Sequence, residues 1–101
     1  MGKTRGLTAY RNKRDASEKE VVEALERLGC SVYRMDRPFD LLVGYRGETR
    51  LVECKTGKAK LNQKQALFVE FWRGAGVYLI RNADEAIEFV RIWSSGEREA
   101  A

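Results

Sequence analysis

The sequence contains no histidine. That single absence excludes histidine-ligated zinc fingers, HNH-type nucleases and serine–histidine hydrolases. Cysteine is scarce as well. Cys30 and Cys54 are far apart and form no CxxC pair, so neither a structural zinc site nor a disulfide framework is indicated. Free thiols suit the cytoplasm or the nucleoid. No apolar run approaches the roughly 20 residues of a membrane span. The first residues also lack the apolar stretch of a signal peptide. Repeats, low-complexity tracts and linkers are missing too.

What is present describes one small domain. The chain has 101 residues, enough for a single core with much surface left exposed. Its hydrophobic content of 44% is ordinary for a globular protein, which argues against disorder. The net charge of +4 suits a polyanionic partner such as DNA.

The most informative stretch runs from Asp40 to Lys55, DLLVGYRGETRLVECK. Asp40 opens a strand through Leu41, Leu42 and Val43. Arg46-Gly47 forms a tight hairpin turn, and Thr49 to Lys55 returns as a second strand. Alternation puts Leu51, Glu53 and Lys55 on one face and Val52 and Cys54 on the other. Pairing around Arg46-Gly47 brings Asp40 level with Glu53. Two carboxylates and an ammonium then cluster at one end of a small sheet. Charges among apolar residues are costly unless paired or bound to a metal. This set matches what a divalent-metal phosphodiesterase requires. Asp40 and Glu53 would hold Mg²⁺, a hard cation that prefers oxygen, and Lys55 would position the attacking water or neutralise the phosphate.

Around this hairpin the periodicities predict the order helix, three strands, helix, strand, helix. The first helix spans Asp15 to Gly29, with Ser17 and Glu20 as a capping box and Asp15 with Glu18 as a rival frame. Val21, Val22, Leu25 and Leu28 form its apolar stripe. Glu18 falls on that stripe, whereas Glu20, Glu23 and Glu26 point outward. Its place in the first turn is compatible with dipole complementation or capping, and equally with a site role. A strand from Cys30 to Asp36 follows and ends at Arg37-Pro38.

The loop Thr56 to Lys60 carries Lys58 and Lys60, placed to touch a phosphate backbone. The second helix, Asn62 to Gly74, has apolar residues on more than one face, from Ala66 to Trp72. Phe68, Val69, Phe71, Trp72 and Trp93 exceed what one small core needs, which predicts a homodimer. Val77 to Ile80 is a strand. Asn82 and Glu85 cap a last helix whose Ala83, Ala86, Ile87 and Val90 face the core. A polar tail, 94–101, is expected to be mobile. Residues 1–14 hold Arg5, Arg11, Lys13 and Arg14 with no acid. They form a basic arm suited to phosphate contact, and 15–93 form the domain.

Asp40 followed by Glu53-Cys54-Lys55 resembles the PD-(D/E)xK nuclease signature. The string from Arg37 to Ala86 is similar to small phage-type VRR-NUC domains, relatives of the archaeal-type Holliday junction resolvases, and the likeness extends over Lys13 to Phe89. One departure is that Phe39 separates Pro38 from Asp40. The resemblance implies an α/β, restriction-endonuclease-like αβββαβ core with a mixed sheet flanked by helices. It implies a Mg²⁺-dependent DNA endonuclease, with Mn²⁺ able to substitute, selective for branched or junction DNA and dimeric. It also implies that Glu18 and the Cys54 carbonyl join the metal site. Gln65, in Leu61 to Gln65 of the form L-x-x-x-Q, would orient the lysine or the phosphate. A nuclease-like fold that binds nucleic acid without cutting it is the alternative.

Overall fold

The computed structural model describes residues 17–96. The basic arm, with Arg5, Arg11, Lys13 and Arg14, and the segment 97–101 lie outside the described residues. The element order is α1 (17–27), β1 (Ser31–Arg34), β2 (Leu41–Tyr45), β3 (Glu48–Cys54), α2 (Gln63–Phe71), β4 (Val77–Ile80) and α3 (Ala83–Ser95). The strands form one sheet in the order β1-β2-β3-β4. β1/β2 and β2/β3 are antiparallel, and β3/β4 is parallel. The hairpin and the helical crossover explain this mixture, because a two-residue turn can join only antiparallel neighbours. Among the described residues this is a single α/β domain with three helices and a mixed four-stranded sheet. No helix among them is long and apolar enough to cross a membrane.

The turn at Arg46-Gly47 has φ values of 52° and 81°. Both lie in the left-handed region that two-residue hairpins need, which glycine enters without steric cost. Arg46 is held there from outside. Its guanidinium donates to the Ser94 carbonyl at 3.2 Å and lies over the Tyr45 ring.

One sheet face carries the core. Leu41, Val43, Val52 and Ile80 pack with Val21, Val22, Ala24 and Leu25 of α1 and with Ala86, Phe89, Val90 and Trp93 of α3. Across the other face runs the row Tyr33, Leu42, Leu51, Val77. Leu51 is buried there, but Tyr33 is 66% exposed. Phe39, also buried, meets Phe68 of α2 edge-on at 5.3 Å.

Several expectations need correction. Ser17 is already helical, so it is no N-cap. Its hydroxyl donates to the Arg81 carbonyl, and Glu20 accepts from the Ala83 N–H, tying α1 to the start of α3. Leu28 lies in the turn after α1, partly exposed. Ile87 is 49% exposed, and Phe89 and Trp93 take the core positions instead. Counting from Ala86 at helical spacing selects Phe89, Val90 and Trp93 rather than Ile87. Trp93 is therefore not surplus surface. Its indole N–H donates to Glu48 at 2.6 Å, and Arg50 lies 4.3 Å over its ring. α3 continues through Ser95 before Gly96 ends it, so Ser94 belongs to the fold and not to a tail. Its hydroxyl meets that of Tyr45. α2 stops at Phe71, earlier than Gly74.

This placement separates two residues that look alike in sequence. Leu41→Ala should cost about 2–5 kcal/mol, the usual range for a fully buried leucine. Ile87→Ala should stay within about 0.5 kcal/mol. Urea denaturation of the two variants checks both values.

Candidate active site

The register Leu41↔Val52 sets Asp40 opposite Glu53 at the next position outward. Both are buried, at 3% and 5% exposure. Their side chains cross-brace the backbone. The Asp40 N–H donates to Glu53 Oε1 at 3.1 Å, and the Cys54 N–H donates to Asp40 Oδ2 at 2.9 Å. The second Glu53 oxygen, Oε2, lies 3.2 Å from the Lys55 ammonium. Asp40, Glu53, Cys54 and Lys55 line a cleft of about 210 Å³ with Ser17, Thr56 and Ala59. The strand alternation and the turn thus bring Asp40, Glu53 and Lys55 together as expected.

Glu18 comes from α1 and is 1% exposed. Its carboxylate accepts from Arg34 Nε of β1 at 2.7 Å. Arg34 is a site neighbour that the sequence reading missed. The available signal was its position one residue beyond Tyr33 on β1, pointing with Val32 toward the core side. Cys54 points to that side as well. Burial pushes its thiol well above the ordinary value. The negative charges of Asp40, Glu18 and Glu53 push in the same direction, and Arg34 opposes them. Three carboxylates therefore act on one thiol, which places Glu18 in the electrostatic surroundings of the Asp40–Glu53 pair.

Among the described residues, no group of three or more histidine, cysteine, aspartate or glutamate residues is placed to hold a metal ion. Glu18, Asp40, Glu53 and Cys54 do not form a ready-made cage. The fit of a hard cation rests on the Asp40–Glu53 pair alone. Mg²⁺ keeps several waters and commonly takes only one or two carboxylates from protein, so the donor chemistry of this pair suits it.

Gln65 sits at the third position of α2, where its oxygen accepts from the Asn62 N–H and its own N–H donates to the Asn62 side chain. Its amide nitrogen donates to the Pro38 carbonyl at 3.3 Å. It thus anchors α2 beside the segment leading into Asp40. Its contacts are with Asn62 and Pro38. Lys58 and Lys60 are exposed on the loop at the cleft edge. Arg81, a second residue that the sequence reading missed, pins that loop by donating to the Gly57 and Ala59 carbonyls at 2.7 and 2.9 Å.

The raised thiols generate a prediction. Burial also raises Cys30, and the thiolate is the reactive form. At pH 8 both thiols should react slowly with a disulfide reagent in the native protein and fast in denaturant. Asp40→Asn removes one of the charges acting on Cys54 and should speed its reaction at the same pH.

No protein-family model, no curated protein and no solved structure matches the chain.

Proposed function

We propose that this protein is a Mg²⁺-dependent DNA endonuclease of the PD-(D/E)xK kind, selective for branched DNA. The observation that carries this reading is the buried, cross-braced pair Asp40 and Glu53 with Lys55 on Glu53, lining a cleft of about 210 Å³. A fold retains charges in such a place at a cost of several kcal/mol each. Stability alone would be served as well by apolar residues.

In this reading Asp40 and Glu53 supply carboxylate oxygens to the cation. A bound Mg²⁺ would polarise a phosphoryl oxygen and lower the pKa of a coordinated water. Lys55 holds the nucleophilic water or the phosphate oxygen facing it, and Glu53 keeps its ammonium oriented. Glu18 adds negative charge behind the pair. Gln65 positions the Pro38 segment and thereby Asp40, and the Cys54 carbonyl is a further oxygen donor. Lys58 and Lys60, with Arg5, Arg11, Lys13 and Arg14, contact flanking phosphates. Mn²⁺ should replace Mg²⁺.

Each carboxylate also satisfies a backbone N–H, so alanine variants would confound folding with catalysis. Asp40→Asn and Glu53→Gln keep an acceptor and remove the charge. Both should retain the native circular dichroism and lose Mg²⁺-dependent nicking of plasmid and junction DNA. Lys55→Ala should slow nicking by about 10²–10⁴-fold, and EDTA should abolish it. Gel shifts without nicks under all metals would replace this reading with that of a non-cleaving nucleic-acid-binding module.

A homodimer is part of the same proposal. The sheet face around Tyr33 and Leu42, with Leu67 and Val69 of α2, supplies part of the apolar surface that stays exposed once Trp93 is assigned to the core. A two-fold contact would bury it and present two clefts to opposed strands. Light scattering at micromolar concentration should give twice 11.6 kDa. A mass of 11.6 kDa that does not rise with concentration removes the dimer.

A further inference from the structure

No residue of α2 is fully covered. Phe71 at its end is 73% exposed, the most exposed of the large apolar side chains among the described residues. The ring beside it is fixed. Trp72 stacks on Phe68 at 5.0 Å and 24°, its indole N–H donates to the Ala75 carbonyl at 2.8 Å, and Gly74 lies against it. A Cβ on Gly74 would come within 2.8 Å of three indole atoms, so a larger residue there would displace the ring. Phe68 in turn packs on Phe39, the residue before Asp40. A chain of ring contacts thus runs from the candidate active site to the end of α2, with Phe71 protruding next to it.

The surroundings are cationic. Between Glu53 and Asp84 the sequence holds Lys55, Lys58, Lys60, Lys64, Arg73 and Arg81 against the single acid Glu70. Lys58, Lys60, Lys64 and Arg73 are exposed. Gln65 touches the Pro38 carbonyl, and Phe71 follows it by roughly 9 Å along the helix axis at about 1.5 Å per residue.

We infer that the exposed ring of Phe71 is a stacking platform for an unpaired base of DNA whose phosphates lie along the lysines leading to the cleft. This rests on the nuclease reading and narrows its substrate to DNA with single-stranded character beside the scissile bond. An aromatic face offered next to a basic track is how proteins hold single strands without reading sequence. A paired duplex, whose bases are already stacked, gains nothing from it.

The test uses the full chain in EDTA, so that binding is measured without hydrolysis. Fluorescence anisotropy is read with labelled oligothymidine and with a blunt duplex of equal length. Phe71→Ala and Phe71→Leu should each weaken oligothymidine binding by about 5- to 100-fold and leave duplex binding unchanged. Phe71→Trp should restore it. Leucine is included because it keeps apolar bulk and lacks the π-face. Quenching of tryptophan emission by oligothymidine should vanish in Trp72→Leu, since Trp93 is buried and bonded to Glu48. Equal affinity of wild type and both Phe71 variants for oligothymidine overturns the inference. So does conversion of a dimer to a monomer by Phe71→Ala, which would make this patch a contact between copies. If the wild type nicks DNA while Phe71 proves indifferent, only the inference fails. If it neither binds nor cuts DNA, the nuclease reading fails with it.

Discussion

The structure depends on how it keeps two negative charges out of water. Burying a carboxylate costs several kcal/mol even after relaxation. Asp40 and Glu53 offset that cost by each accepting a backbone N–H from the other's strand segment, and Glu53 adds the Lys55 ammonium. Hydrogen bonds to charged acceptors contribute about 1.5–3 kcal/mol each. The brace also joins the start of β2 to the end of β3, beyond the last ladder pair. The polar site and the sheet end are therefore one object, and the site cannot shift without opening the sheet.

The remaining elements are arranged around that end. α1 delivers Glu18 to the same region, and Arg34 of β1 compensates it. Ser17 and Glu20 fasten α1 to the junction of β4 and α3. Arg81, at the end of β4, holds the lysine-bearing loop through two carbonyls. No buried side-chain polar atom among the described residues lacks a hydrogen-bond partner. A site with this density of charge is workable because each group has a fixed partner, which is also what a preorganised catalytic site requires.

α2 shows the opposite economy. It is capped well, by the reciprocal Asn62–Gln65 bonds, yet buries almost nothing. Its attachment is the contact of Phe68 with Phe39 and of Gln65 with Pro38. A helix so placed is held by its cap, one aromatic contact and one side-chain hydrogen bond, and most of its surface stays exposed.

Much of this was legible in the sequence for local reasons. Element order, the Arg46-Gly47 turn and the meeting of Asp40 with Glu53 follow from alternation and turn chemistry, which act over a few residues. The same holds for the cap at Asn82. Tertiary structure decided what depends on distant partners. Glu20 became a tie to Ala83 rather than a cap, because α3 brought an unpaired N–H within reach. Trp93 moved from surface to core because Tyr45, Phe89, Arg50 and Glu48 surround it from three elements. Arg34 and Arg81 gained their roles only when the fold placed a carboxylate and two loop carbonyls beside them. A sequence specifies periodicity and charge, whereas a salt bridge or a packed ring needs two chain segments at a set distance, and only the folded chain supplies that distance.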